Sequence, residues 1–397
     1  MKKIIYFIIS IIFSINPLLA LDEDIIFSPD KTIEIEKDLI EGEHEIILEK
    51  PKVEEVNPYT KQALKGIISK DYDLNSSAGI FKEQLTYKYK RGILKDTTLH
   101  GHMIHTLGET FNDNDKDFNY DTSLINVGLS GKFKSNKEKY TLLFDLTPDI
   151  FEDFSHRFVL DAHIETTRIK NHTILFGSSR PQVGFEGGNS AKTIPFLTRS
   201  QAARNFSNAR KTGVKIDGRY KWVDYEVGGF SSDVQYHEFF PGVEGNIWVD
   251  FKPLANLDEK KAGKLYLGSG VSTGERNSKD FTVASSALRY DREKFWARVE
   301  YQHADGSNGG SGITKRKGYG YNATLAYRLT KKLEFLLRFD DFDKDKSIKN
   351  NNTREYTAGL NWYILGQGAR VMLNYVFCEN EAKKDSHRII LGTQIIL

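Results

Sequence analysis

The stretch 319–397 alternates apolar and polar side chains with a period of two, and this pattern constrains the fold more than any other feature. Residues 319–329 have an apolar side chain at every odd position, and residues 333–339, 356–362, 371–377 and 389–397 repeat the alternation. A period of two is typical of a strand with one apolar and one polar face. Aromatic residues lie near the segment ends, and segments of about 9–11 residues suit a tilted strand crossing a bilayer. The pattern predicts the closing wall of a transmembrane β-barrel.

The first twenty residues are typical of a signal peptide. Lys2 and Lys3 precede an apolar run at 4–15, and Ala20 ends a plausible cleavage site. The alternative is an uncleaved anchor helix, although the apolar run is short for a membrane span. After Ala20 no uninterrupted apolar stretch reaches the length of a membrane helix. A membrane location therefore requires a closed barrel, and we expect an exported protein of the bacterial outer membrane.

Charge divides the chain into two parts. Residues 21–80 contain 15 acidic and 7 basic side chains, whereas residues 81–397 contain 39 acidic and 47 basic ones. We interpret residues 21–96 as a periplasmic extension and lead-in, and residues 97–397 as the barrel. An electropositive barrel would favour anions, because a passage with low-dielectric walls focuses the field of its charges. The single cysteine, Cys378, excludes an internal disulfide.

The connections predict the number of strands. Short links and longer polar segments alternate from residue 97 onwards, with long ones predicted at 108–121 and 273–280 among others, which gives sixteen antiparallel strands. Residues 83–91 would add a seventeenth strand, so we assign them to the lead-in, with an eighteen-stranded barrel as the alternative. A barrel this wide generally encloses a channel. Charged residues alternate with apolar ones at 214–221 and 295–302, which predicts Lys215, Arg219 and Arg298 as pore-lining residues.

The segment 181–209 is the longest connection, and we predict that it constricts the pore. Glu186 is its only acidic residue, and six basic residues lie within it or at its edges: Arg180, Lys192, Arg199, Arg204, Arg210 and Lys211. Folded into the lumen, it would present these groups to a passing anion, and the planar fork of arginine suits phosphate. The alternative is a solvated surface loop whose charges meet lipopolysaccharide.

Several runs resemble the phosphate-selective porin O/P family. They lie at residues 160–162, 174–177, 180–181, 184–186, 194–200 and 210–214, and again at 356–363 and 373–375. The resemblance implies a sixteen-stranded, usually trimeric outer-membrane porin with an infolded loop whose basic residues guide anions. It assigns the anion role to Arg180, Arg199 and Arg210, while Lys192, Arg204 and Lys211 are chosen on charge alone. As a hypothesis, neutralising Arg199 and Arg210 together should lower the preference for anions.

We therefore expect a porin for passive diffusion of small hydrophilic solutes, with a preference for phosphate-type anions. The expected partners are outer-membrane lipid, lipopolysaccharide, small anions and two further copies in a homotrimer, without nucleic acid. We expect no enzymatic activity, metal or cofactor. Two readings stay open: a non-selective porin or receptor-like barrel, and a barrel hydrolase that would use His303 and Ser307. His100 and His102 would share one strand face while His105 points away, which argues against a metal site.

Overall fold

The computed structural model describes residues 79–397 except 81, 84, 113–114, 148–157, 234–239 and 307–315. The signal peptide predicted at 1–20, and residues 21–78 of the predicted extension, lie outside the described residues. Within the described ranges, no helix is long and apolar enough to cross a membrane. The described residues contain four helical segments, all short: α1 (Phe185–Gly188), a 3-10 turn (Ala191–Thr193), a π-helical turn (Ala203–Ser207) and α2 (Glu259–Ala262).

Strands make up most of the described chain. They are β1 (Thr86–Lys88), β2 (Leu94–Phe111), β3 (Lys116–Phe133), β4 (Glu138–Asp145), β5 (Val159–Thr166), β6 (His172–Ser179), β7 (Lys211–Arg219), β8 (Val223–Ser231), β9 (Val243–Phe251), β10 (Lys264–Arg276), β11 (Lys279–Arg292), β12 (Phe295–Asp305), β13 (Lys317–Arg328), β14 (Leu333–Asp343), β15 (Thr353–Tyr363), β16 (Ala369–Asn380) and β17 (Ser386–Ile396). Each strand from β2 to β17 pairs antiparallel with the next one along the chain.

The sheet closes into a ring of sixteen strands. β17 returns to pair with β2, in a register that runs from His387 opposite Phe111 to Ile396 opposite His102. β1 pairs with the first residues of β2, where Thr86 lies opposite Thr98. These residues of β2 lie beyond the end of its pairing with β17. β1 is therefore not one of the sixteen strands that form the ring. The sixteen-stranded prediction is confirmed, and the eighteen-stranded alternative is wrong.

Two connections that the sequence predicted to be long are short. β2 and β3 both continue for 18 residues, which leaves a connection of only 112–115 in place of 108–121. β10 and β11 meet at Asn277 and Ser278, whose φ angles of 51° and 60° suit a two-residue hairpin turn. The ends of β10 and β11 carry polar side chains on both faces at residues 275–276 and 279–280, so they lack the period-two signal that marks a half-apolar strand. The first residues of β3 do alternate, with Phe118 and Tyr120 exposed on one face, so this signal was present and was missed.

The outer face of the barrel carries an apolar band between two rows of aromatic side chains. At the end with the long loops, neighbouring rings follow one another from β12 to β2 with centroids 5.0–6.5 Å apart: Tyr301 and Tyr319, then Tyr321, Phe339, Tyr356, Phe377, His387 and Phe111. At the short-turn end, Phe295, Tyr327, Phe335 and Trp362 are exposed, and leucines such as Leu325 and Leu337 lie between the rows. This arrangement is typical of a transmembrane barrel.

Candidate solute pathway

The inner face of the barrel holds the segment 180–210, which connects β6 to β7. Its Phe196 packs against the inward side chains Trp296, Ala326 and Leu336. A second cluster joins three apolar residues of the segment to three of the wall: Val183, Ala202 and Phe206 with Val283, Ala304 and Phe342. Because the wall residues point inward, both contacts place the segment inside the ring of strands.

Inward carboxylates bind backbone N–H groups of this segment. Glu300 accepts hydrogen bonds from the backbone of Phe185 at 2.7 Å and of Glu186 at 3.0 Å. Asp340 accepts one from the backbone of Gln201 at 2.7 Å. The segment is therefore held to the inner surfaces of β12 and β14, which are both neighbours of β13, through hydrogen bonds to its main chain.

The carbonyl groups of the segment are bound as well. Four inward side chains donate to them: Asn361 to Pro195 at 2.8 Å, Arg370 to Ile194 at 2.7 Å, Arg338 to Thr198 at 2.9 Å and Gln394 to Lys192 at 3.1 Å. The donors come from β14 to β17, so the middle of the segment, residues 192–198, follows the wall that closes the barrel. Its backbone thus has polar partners at a depth where unpaired groups would be costly.

Arg180 and Arg199 stabilise the segment from within. Both donate to the carbonyl oxygen of Asn189, at 2.7 Å and 2.6 Å, and Arg199 also donates to the carbonyl of Glu186. Burial lowers the pKa of Arg199 to about 10, while the Glu186 carboxylate opposes the shift, so the guanidinium is charged at neutral pH. Burial also lowers the pKa of Arg180, and the positive charges of Arg210 and Arg199 add to this shift. These three predicted residues are therefore neighbours.

Five of the predicted residues, Arg210 among them, are paired with carboxylates. The pairs are Arg210 with Asp161 at 2.8 Å, Arg204 with Glu355 at 3.3 Å, Lys211 with Glu244, Lys215 with Glu226 at 2.7 Å, and Arg219 with both Asp217 and Asp224 at 3.8 Å. A cation that already has a carboxylate partner attracts a passing anion less strongly, because the pair is close to neutral at a distance. The partners of Arg204, Arg210 and Lys211 are far away in sequence, so no local motif could have revealed these three pairs, whereas the partners of Lys215 and Arg219 lie on the same hairpin, β7 and β8.

Lys192 and Arg298 are the two predicted residues whose charged groups have neither a hydrogen bond nor an ion pair within the described part of the chain. Burial lowers the pKa of Lys192, and the charge of Asp161 opposes that shift. The guanidinium of Arg298 lies over two rings, 4.2 Å from the centroid of Trp296 and 5.2 Å from that of Phe185. The charge of neither side chain is offset by a direct partner in that part of the chain, and Arg298 lines both of the cavities beside the segment.

A cavity opens beside the segment at the short-turn end of the barrel. Its volume is about 620 Å³, and a neighbouring one of about 280 Å³ shares Phe185, Asp291 and Arg298 with it. Arg289 and Arg328 also line it. The sequence pattern alone did not identify these arginines or the carboxylates that hold the segment. Strand parity could have found Arg289, since it occupies the same face of β11 as the buried Ala287.

The histidines lie as the strand pattern predicts. His102 points inward, 3.3 Å from the side-chain oxygen of Gln394, whereas His105 stacks on Tyr120. No cluster of three or more histidine, cysteine or acidic residues in the described ranges could hold a metal ion. Ser307, the candidate nucleophile beside His303, lies outside the described residues.

Comparisons with known proteins agree with this fold. Residues 254–394 match the family model for phosphate-selective porin O and P, which confirms the resemblance over that part of the chain. A search of the curated proteins found no match.

Solved structures with the same fold are only distantly similar in sequence. The match to an anion-selective porin from Comamonas acidovorans has 12% identity and a TM-score of 0.58, and it covers 76% of this chain and 99% of that one. The match to OmpF of Salmonella typhi in complex with daunomycin has 12% identity and a TM-score of 0.57, and it covers 78% of this chain and 99% of that one. The match to a trimer form of OmpT from Vibrio cholerae has 12% identity and a TM-score of 0.52, and it covers 76% of this chain and 99% of that one.

Proposed function

We propose that this protein is an outer-membrane porin, not an enzyme, and that its water-filled channel lets small hydrophilic solutes diffuse with a preference for phosphate-type anions. The observation that carries the proposal is a closed sixteen-stranded wall with an apolar outer band and a charged inner face. An apolar exterior suits lipid, and a charged interior needs water. The family match at residues 254–394 supports the same class.

The proposed mechanism is electrostatic. The segment 181–209 narrows the lumen, and the unpaired groups of Lys192 and Arg298 replace part of an anion's hydration shell. Binding must be weak enough to release the ion, so a small number of unpaired cations suits conduction better than a row of them. The paired residues, such as Arg204 and Arg210, contribute less, because their carboxylate partners offset their charge.

The same proposal includes assembly. A homotrimer embedded in outer-membrane lipid and lipopolysaccharide would bury part of the outer wall and leave the remainder in contact with lipid. Chemical cross-linking of the protein in outer-membrane vesicles is expected to give a species of three chains. If only single chains are found after complete cross-linking, the homotrimer is contradicted, while the proposal of a channel still stands.

The channel is tested in a planar bilayer with purified protein under a KCl gradient. We expect discrete conductance steps, a reversal potential of the sign that chloride permeation gives, and a lower current after phosphate is added. A reversal potential of the cation-selective sign, or one near zero with no effect of phosphate, would contradict the anion preference. The absence of any conductance would contradict the porin assignment itself.

Replacing Lys192 with glutamine is expected to reduce the chloride-to-potassium permeability ratio. A unit charge about 4 Å from an ion contributes about 1 kcal/mol in bulk water, which corresponds to about a fivefold change in the ratio. The matched control is Lys383→Gln, because Lys383 is an exposed lysine in the connection between β16 and β17. An equal change in both variants would show that the effect comes from total charge and not from Lys192.

Anion selectivity is expected to depend on pH through Lys192. Burial places the pKa of this lysine below the ordinary value of 10.5, so Lys192 loses its proton, and with it its charge, at a lower pH than exposed lysines do. Selectivity should therefore decrease as the pH rises, before exposed lysines titrate. Lys192→Arg should keep its selectivity over that range, because arginine remains protonated. Identical pH profiles for the variant and the wild type would contradict this role.

A further inference from the structure

Five side chains form a continuous stack of alternating rings and guanidinium groups in the larger cavity. Arg289 lies between Tyr266 and Phe185, with its guanidinium carbon 4.7 Å and 4.2 Å from the two ring centroids. Arg298 lies between Phe185 and Trp296, at 5.2 Å and 4.2 Å. Phe185 belongs to the infolded segment and the other four belong to the wall. The ring contacts fix the guanidinium groups in place.

The two arginines of the stack differ in their partners. They lie directly opposite each other on β11 and β12, an arrangement in which like charges repel. Arg289 is compensated by an ion pair with Asp250. Arg298 has no hydrogen bond or ion pair in the described part of the chain, although it lines both cavities. Its N–H groups are therefore held in a fixed position with no acceptor from the described chain.

Asp291 supplies an unpaired charge of the opposite sign next to Arg298. It lies on β11 opposite Trp296, two residues along the neighbouring strand from Arg298, and it also lines both cavities. Such diagonal neighbours have side chains about 7–8 Å apart at their base. The charges of Arg289, Glu186, Asp291 and Glu334 all act on Arg298. The described residues include no ion pair between Arg298 and Asp291 and no other partner for the Asp291 carboxylate. Two opposite charges are thus held near each other without contact.

We propose that this part of the lumen is a binding site for a zwitterionic α-amino acid. The solute's carboxylate would accept hydrogen bonds from Arg298, and its ammonium group would donate to Asp291. A simple anion is attracted by Arg298 but repelled by Asp291, whereas a simple cation is attracted by Asp291 but repelled by Arg298. Only a solute with both charges can therefore bind favourably to both residues. The cavity of about 620 Å³ falls within the roughly 300–1,000 Å³ range of small-molecule sites, so there is room for the side chain.

The proposal is tested by titrating the detergent-solubilised protein with three related molecules and following saturation-transfer NMR signals. L-serine carries both charges, N-acetyl-L-serine only the negative one and L-serinamide only the positive one. We expect L-serine to bind at least about tenfold more tightly than either analogue, since each charged hydrogen bond contributes substantially. Equal binding of L-serine and N-acetyl-L-serine would reduce the site to a simple anion site and overturn the proposal.

Variants assign the two roles. Arg298→Gln should weaken the binding of L-serine and N-acetyl-L-serine. Asp291→Asn should weaken the binding of L-serine and L-serinamide, and should leave the affinity for N-acetyl-L-serine unchanged or increase it. Asp280→Asn is the matched control, because Asp280 is exposed near the opposite end of β11. If Arg298→Gln does not fold, as judged by resistance to unfolding in SDS, Asp291→Asn decides alone. Unchanged L-serine binding in Asp291→Asn would overturn the proposal. Binding is measured without a membrane, so it is scored separately from channel activity.

Discussion

Replacing Leu325 with arginine is expected to destabilise the folded protein by about 2–4 kcal/mol, the cost of a charged side chain near the middle of the lipid-facing side of a barrel. Leu325 is 52% exposed on β13 and lies opposite Leu337, which points outward on β14. The cost arises because hydrocarbon cannot solvate the guanidinium group. The free energy of unfolding is measured by urea titration of the protein in phospholipid vesicles, followed by tryptophan fluorescence.

Leu257→Arg is the matched control for that measurement. Leu257 is 58% exposed, but it lies in the connection 252–263 between β9 and β10, away from the strands of the wall. We expect its replacement to change the free energy of unfolding by less than about 0.5 kcal/mol, as for an ordinary surface position. Equal costs at the two positions would mean that the outer face of β13 does not meet lipid, and would contradict a transmembrane barrel.

The sequence predicted the strands of the wall, because each of these strands lies between lipid on one side and water on the other. A strand with hydrocarbon on one side and a polar lumen on the other must alternate, so residue parity alone places Leu325 outside and Arg298 inside. The same reasoning fails where both faces meet water. The ends of β10 and β11 are polar throughout, and the turn at Asn277 and Ser278 was therefore missed.

The interior was less predictable because its contacts are long-range. Composition identified the segment 181–209 and its basic residues, but it could not show which cations have partners. Arg204 meets Glu355, which is 151 positions away, and the segment's backbone is bound by Glu300, more than a hundred positions away. Only the closed barrel brings these groups together. As a result, the excess of basic residues in the chain overstates the charge that a solute would meet.

The wall carboxylates explain how a segment of this composition can lie inside a barrel. Its basic side chains would repel one another, as the effect of Arg210 on Arg180 illustrates. The carboxylates of Asp161 and Glu300 offset that repulsion, and Glu300 also accepts hydrogen bonds from the segment's backbone. The same groups therefore hold the segment and limit the number of free cations, which leaves selectivity to Lys192 and Arg298 in the mechanism we propose.

Replacing Arg199 with methionine is expected to release the first half of the segment 180–210 and to increase the single-channel conductance. The buried guanidinium donates to the carbonyl groups of Glu186 and Asn189, and its loss removes these donors at a depth that water reaches poorly. Arg180 still donates to the Asn189 carbonyl, so the larger loss is the charged hydrogen bond to Glu186, and such a bond contributes about 1.5–3 kcal/mol. The conductance is measured in a planar bilayer, and protease digestion of the folded protein checks whether the segment has become accessible.

The outcome separates two roles for Arg199. If it is an anion ligand, as the family resemblance implies, its loss should lower the preference for anions at an unchanged conductance. If it holds the segment, the conductance should increase and new cleavage sites should appear. Arg204→Met is the matched control, because Glu355 keeps Arg388 as a partner when Arg204 is lost. Wild-type conductance and protease resistance in Arg199→Met would contradict the structural role, since the backbone contacts to Glu300 and Asp340 would then hold the segment without it.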